Sequence, residues 1–126
     1  MLSPEHRKAQ ELSARASLAA KRGAWAEAQE LYAKAATLEQ VALDDVDAGA
    51  VRTKGIFAVS LAALLYKAKE FEAAETAIFR VLGQGDLLPH AKNQLRELLD
   101  VVGDEKLVYS GHGVAKRSGL RPDKSP

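Results

Sequence analysis

Small and apolar residues recur at three- and four-residue steps in five stretches of the chain, separated by glycine, proline or acidic breaks. That period is one face of an α-helix. The first stretch opens on Ser3-Pro4-Glu5. Serine can accept a hydrogen bond from an orphan backbone donor, proline fits the first helical position, and an acid suits the positive helix end. Ala9, Leu12, Ala16 and Ala19 follow, and Gly23 predicts the stop because it adopts the left-handed conformation without penalty. A second helix begins near Trp25, with an inner face of Trp25, Ala28, Tyr32, Ala35, Leu38 and Ala42. Glu30 and Lys34 lie outside that face as a favourable i,i+4 pair. Only Gly23 and Ala24 separate the two helices, so they should pack as an antiparallel hairpin.

The acidic run from Asp44 to Gly49 breaks the period, and Asp45 or Asp47 is the expected cap of a third helix. That helix carries Val51, Gly55, Ala58, Ala62 and Leu65 and ends near Lys67. Its Gly55, Ala58 and Ala62 form a small-residue seam suited to a close crossing. After the corner Ala68-Lys69-Glu70, a fourth helix places Phe71, Ala74, Ile78 and Val81 inward and stops at Gly83-Gln84-Gly85. Pro89 opens a fifth, with Ala91, Leu95, Leu98 and Val102 inward and Gly103 as the expected terminator. No β-pattern competes before Leu107. The expectation is an all-α domain over residues 3–103, followed by a basic, flexible tail over residues 104–126.

Composition agrees with a globular helical chain. Of 126 residues, 47% are hydrophobic and 28% charged, with 23 Ala and 17 Leu. A net charge of +1 supplies no global field toward nucleic acid or membrane. The absence of cysteine excludes disulfides and thiolate chemistry. Nothing near Leu2 reads as a secretion signal, and the most apolar run, Gly55 to Tyr66, is far shorter than the roughly 20 residues of a membrane span. The expected location is the cytoplasm.

Helix pairs recurring in phase mark a helical repeat array. The chain resembles the tetratricopeptide repeat family in its second hairpin, through Leu61-Ala62-x-x-Leu65, Phe71, Ala74-x-x-x-Ile78 and then Pro89. The first hairpin carries Gly23, Trp25 and Ala28-x-x-x-Tyr32, with Arg15-Ala16-x-x-Ala19 in place of the usual large residues. The resemblance spans about residues 9 to 102. It implies antiparallel hairpins in which small residues let helices approach and aromatics fill the wedges beside them. The spacing departs from the family: 46 residues separate Trp25 from Phe71, against a period of about 34. The surplus lies between Ala35 and Gly55, so the second and third helices should each be lengthened. Leu38, Val41, Leu43, Val46 and Val51 on these extensions would then offer a homodimer surface.

Candidate chemistry is sparse. An EF-hand loop starting at Asp45 would place Gly49 fifth and Ile56 twelfth, where a bidentate glutamate is required. His6, His90 and His112 lie on three distant segments without the spacing of a zinc site. Ser110-Gly111-His112 lacks the strand-turn-helix setting of a nucleophile elbow, and Gly83-Gln84-Gly85 lacks the Lys of a phosphate loop. The chain therefore reads as non-catalytic, with no catalytic residues, no metal and no cofactor.

The family resemblance implies binding of a partner protein's peptide or helix by the first helix of each hairpin. The corresponding residues are Ser13, Ser17 and Lys21, with Tyr66 on the third helix and His90, Asn93 and Glu97 on the fifth. Ser13 and Ser17 stand where some members place the Lys or Asn of a carboxylate clamp, so that clamp is not expected. The leading expectation is a protein–protein interaction module, an adaptor or chaperone-like protein, with a homodimer as a further partner arrangement. The alternative is a nucleic-acid-associated accessory protein acting through Lys116, Arg117, Arg121 and Lys124. No membrane partner is expected.

Overall fold

The computed structural model describes residues 3–114, which form five helices and, among the described residues, no strand. They are α1 (Pro4–Lys21), α2 (Trp25–Asp44), α3 (Val51–Lys67), α4 (Phe71–Gln84) and α5 (Pro89–Val114). Ser3 caps α1 as its position suggests: its Oγ accepts from the His6 backbone N–H at 3.2 Å. Lys116, Arg117, Arg121 and Lys124 lie outside the described residues.

The corners of the two hairpins have the same backbone. Gly23 and Lys69 both adopt the left-handed conformation, at φ +81° and +64°. Each is followed by a residue whose N–H reaches five positions back, Ala24 to the Ala19 carbonyl and Glu70 to the Leu65 carbonyl, both at 2.9 Å. Each such residue is followed at once by an aromatic, Trp25 or Phe71, that opens the next helix. The 46-residue spacing seen in the aromatics is thus repeated in the turn itself. A lysine holds in the second corner a conformation that glycine holds without strain in the first.

α3 is the centre of the bundle and packs against α2, α4 and α5, while α1 lies against α2. One core cluster joins Leu12 and Ala16 of α1, Leu31 and Ala35 of α2, and Leu61 and Leu64 of α3. A second joins Ala58 and Ala62 of α3, Ile78 and Val81 of α4, and Leu95 of α5. Leu43 packs against both. The small-residue seam of α3 finds its neighbour in α5: a Cβ built on Gly55 would lie 2.9 Å from the Ala91 Cβ.

Four sequence expectations change. Trp25 is 69% exposed and does not join the inner face. The buried residues of α2 are Ala28, Leu31, Ala35, Ala36, Glu39 and Ala42, which keeps Ala28, Ala35 and Ala42 of the expected face and puts Leu31 and Glu39 where Tyr32 and Leu38 were expected. Neither Asp45 nor Asp47 caps α3; its first turn follows Ala50, with no side-chain cap. Gly103 does not end α5, which continues to Val114, since a lone glycine inside a helix costs only about 1 kcal/mol against alanine. The surplus residues lengthen α2, which has 20 residues against 14 in α4, and the rest fall in the loop 45–50. α3, with 17, is no longer than α1, with 18. Of the apolar residues on the extensions, Leu38, Leu43, Val46 and Val51 are partly buried within the chain and only Val41 is exposed.

Candidate interaction groove

α2 and α4 run parallel to each other on either side of α3, because each is antiparallel to it. Small side chains face the gap between them: Ala33, Ala36 and Thr37 from α2, and Ala73, Thr76 and Ala77 from α4. Small residues leave the walls low, and α3 supplies Leu61 and Leu65 as an apolar floor. The result is an open groove of about 550 Å³. Thr37 Oγ1 donates to the Ala33 carbonyl at 3.2 Å, so its hydroxyl is already satisfied. Two charged residues line the groove, Glu70 before the first turn of α4 and Arg80 near its end. Neither makes an ion pair with a described residue, which leaves both charges open to a ligand. Gln40 and Arg80 also line an adjoining cavity of about 320 Å³, together with Asp44, Asp47 and Lys54. There Gln40 donates to Asp44 at 2.9 Å, and Lys54 is held by Asp86 at 2.9 Å. The hydrogen bond from Lys54 holds the Asp86 carboxyl below the ordinary carboxylate value.

On the side of α2 that faces α1, the first helix is tied down by a buried polar pair. The Glu39 side chain is fully buried, and its two oxygens lie 2.8 and 2.9 Å from His6 Nδ1. The His6 ring stacks on Phe57 with centroids 4.3 Å apart. Gln10 Nε2 approaches His6 Nε2 at 3.3 Å. With the hydrogen on Nδ1 donated to Glu39, Nε2 accepts from the Gln10 amide, and both ring nitrogens are engaged. A His–carboxylate pair can serve as a general base, but here its free nitrogen faces an amide instead of a nucleophile. Among the described residues no three His, Asp or Glu side chains are grouped to hold a metal ion.

The residues expected from the sequence to meet a partner lie elsewhere. Ser13 and Ser17 are partly buried on α1, and Lys21 is exposed at its end. Tyr66 is half-buried, its ring 6.0 Å from that of Phe71. His90, Asn93 and Glu97 are exposed on one face of α5. None of the seven lines the groove between α2 and α4. The signal for that groove in the sequence is faint: solvent-facing positions of α2 and α4 hold alanine and threonine where long charged side chains are usual. Comparison with protein-family models, with curated proteins and with solved structures gives no match.

Proposed function

We propose that this protein is a non-catalytic protein–protein interaction module, an adaptor or chaperone-like relative of tetratricopeptide repeat proteins. It binds a peptide or helix of a partner protein in the cytoplasm. The observation that carries this reading is the groove between α2 and α4, an apolar trough with two uncommitted charges and a volume in the range of ligand sites. The repeated hairpin corner supports the array character. No described helix is long and apolar enough to cross a membrane. The homodimer expected at Leu38, Val41, Leu43, Val46 and Val51 loses most of that surface, since all but Val41 are partly covered within the chain, and moves here to Leu107 and Val108, 73% and 54% exposed on α5. Sedimentation equilibrium should then give twice the chain mass of 13.6 kDa; the monomer mass removes the dimer.

The test is affinity capture with mass spectrometry on the full chain and on Ala73→Trp, which fills the groove from an exposed position. A partner captured by the wild type and lost by this variant, at unchanged melting, supports the reading. A partner held equally by both refutes the groove as its site. A third arm removes residues 115–126: a salt-sensitive partner lost with them would instead favour nucleic-acid association through the basic tail.

A further inference from the structure

The groove has a direction. Glu70 stands at the N-terminal end of α4 and Arg80 ten positions on, about 15 Å along the helix at 1.5 Å per residue. Gln40, late in α2, shares the adjoining cavity with Arg80, so the C-terminal halves of both walls lie at the arginine end. The walls are parallel: the arginine end lies near the C-termini of both, while the glutamate end is the N-terminus of α4 and the middle of α2.

A third helix laid in this groove meets opposite conditions at its two ends. Run antiparallel to α2 and α4, it sets its positive N-terminus beside the C-terminal ends of the walls. Helices ordinarily carry acids in the first turn and bases in the last. In the antiparallel direction, a first-turn acid falls against Arg80 and a last-turn base against Glu70. In the parallel direction both charges meet their own sign. α3 on the floor runs the other way, but it is one helix against two and presents only Leu61 and Leu65 here. Asp44 accepts a hydrogen bond from Gln40 and belongs with Asp47 and Lys54 to the adjoining cavity, beyond the groove itself. The low alanine walls admit a helix backbone at close range, and the distance from Glu70 to Arg80 spans about three helical turns.

We infer that the groove takes an amphipathic α-helix of a partner protein, of about three turns, bound antiparallel to α2 and α4, with an acid of its first turn on Arg80 and a base of its last turn on Glu70. This rests on the reading of the groove as the interaction site and adds the partner's conformation, direction and charge order.

A displayed library of helical peptides of about 14 residues, with randomised charges in the first and last turns, tests it on the intact protein. Selection on the wild type, with counter-selection on Ala73→Trp, should enrich acid-first, base-last sequences. Selection on Arg80→Glu should enrich a base in the first turn. In fluorescence anisotropy, exchanging the first-turn acid of a selected peptide for lysine should weaken wild-type binding roughly threefold to tenfold, and Arg80→Glu should restore it. A single rim ion pair supports no larger change. Enriched peptides without charge order, peptides of the opposite order, no enrichment, or an Arg80→Glu variant that selects the same sequences as the wild type would each overturn the inference. The capture experiment with Ala73→Trp is read independently, so a lost partner there together with failure here would leave the interaction module standing and remove only the helix and its direction.

Discussion

The strongest single commitment of the fold is the buried carboxylate of Glu39, and removing His6 measures it. His6 is the only hydrogen-bonding partner of that carboxylate among the described residues, at 2.8 and 2.9 Å. In His6→Ala the glutamate remains fully buried and unpaired. Breaking a buried pair from one side costs about 3–5 kcal/mol. Loss of the ring stacked on Phe57 adds about 0.5–1.5 kcal/mol. The expected total, about 5 kcal/mol, is a large share of the roughly 5–15 kcal/mol that a domain of this size has to lose. Urea unfolding followed by circular dichroism should show it as a lowered midpoint at unchanged slope. Glu39→Gln should be milder, at about 1–2 kcal/mol, because its amide oxygen can still accept from Nδ1. The double replacement His6→Phe with Glu39→Leu should recover most of the stability, as apolar substitutes for buried pairs commonly do. It should also speed amide exchange along α1, if the pair fixes where that helix sits. A His6→Ala variant less than about 1 kcal/mol below the wild type would refute the reasoning, since a buried carboxylate without a donor cannot be that cheap.

Gly55→Ala should destabilise by about 1–2 kcal/mol in chemical denaturation, the overpacking against Ala91 exceeding the gain in helix propensity, and Ala91→Gly in the same chain should relieve it. Ala74 is fully buried where α4 meets α5, so Ala74→Leu should cost about 1–3 kcal/mol; an unchanged melting curve would contradict that placement. Lys69→Gly should remove about 0.5–1 kcal/mol of backbone strain at φ +64°, so the loss measured in chemical denaturation should be smaller by that amount than for Lys69→Ala, which gives up the same side-chain interaction and keeps the strain. The depressed Asp86 carboxyl stabilises the fold fully above the unfolded value of about 4 and loses that contribution as pH falls through its lower folded value. The stability deficit of Lys54→Met should therefore shrink in acid, and carbon-detected titration of Asp86 should return toward the ordinary carboxylate value in that variant.

Helix positions were legible because period and punctuation agreed. Ser3-Pro4, Gly23, Gly85 and Pro89 fall at helix ends, and Phe71, Ala74, Ile78 and Val81 are all buried as their spacing requires. Misreadings occurred where one residue type contradicts its usual role. Trp25 suits an inner face by size but opens α2 at a corner where nothing covers it. Glu39 is charged yet lies in the core, at a position that hydropathy assigns to the solvent face of α2. Gly103 has the chemistry of a terminator, but Val102 packs with Phe71, and Lys106 reaches Glu75 at 2.9 Å, which carries the helix past it. The groove was illegible for a different reason. It belongs to no single helix but to the gap between two that do not adjoin in sequence, and its residues, alanine and threonine, carry no chemical signature of their own.

The buried pair and the alanine-rich composition are connected. The face that α1 buries is Ala9, Leu12, Ala16 and Ala19, with one large side chain among them. Alanine contributes about one methyl group of burial per position, roughly 0.8 kcal/mol. It also presents a nearly uniform surface, so a shift of the helix by one turn exchanges one alanine for another at little cost in shape. The other half of the bundle has no such need: Phe71, Ile78, Val81, Leu95 and Val102 interlock by shape, and no charge is buried among them. Glu39 and His6 stand where shape specifies least. A carboxylate accepting from one ring nitrogen, with the ring itself stacked on Phe57, admits a single register of α1 against α2 and α3. Specification of this kind costs stability relative to an apolar pair, and a unique arrangement of α1 is the return predicted for it. Amide exchange along α1 in the apolar double variant decides the point, because a helix held by apolar contacts alone would keep its stability and lose its protection.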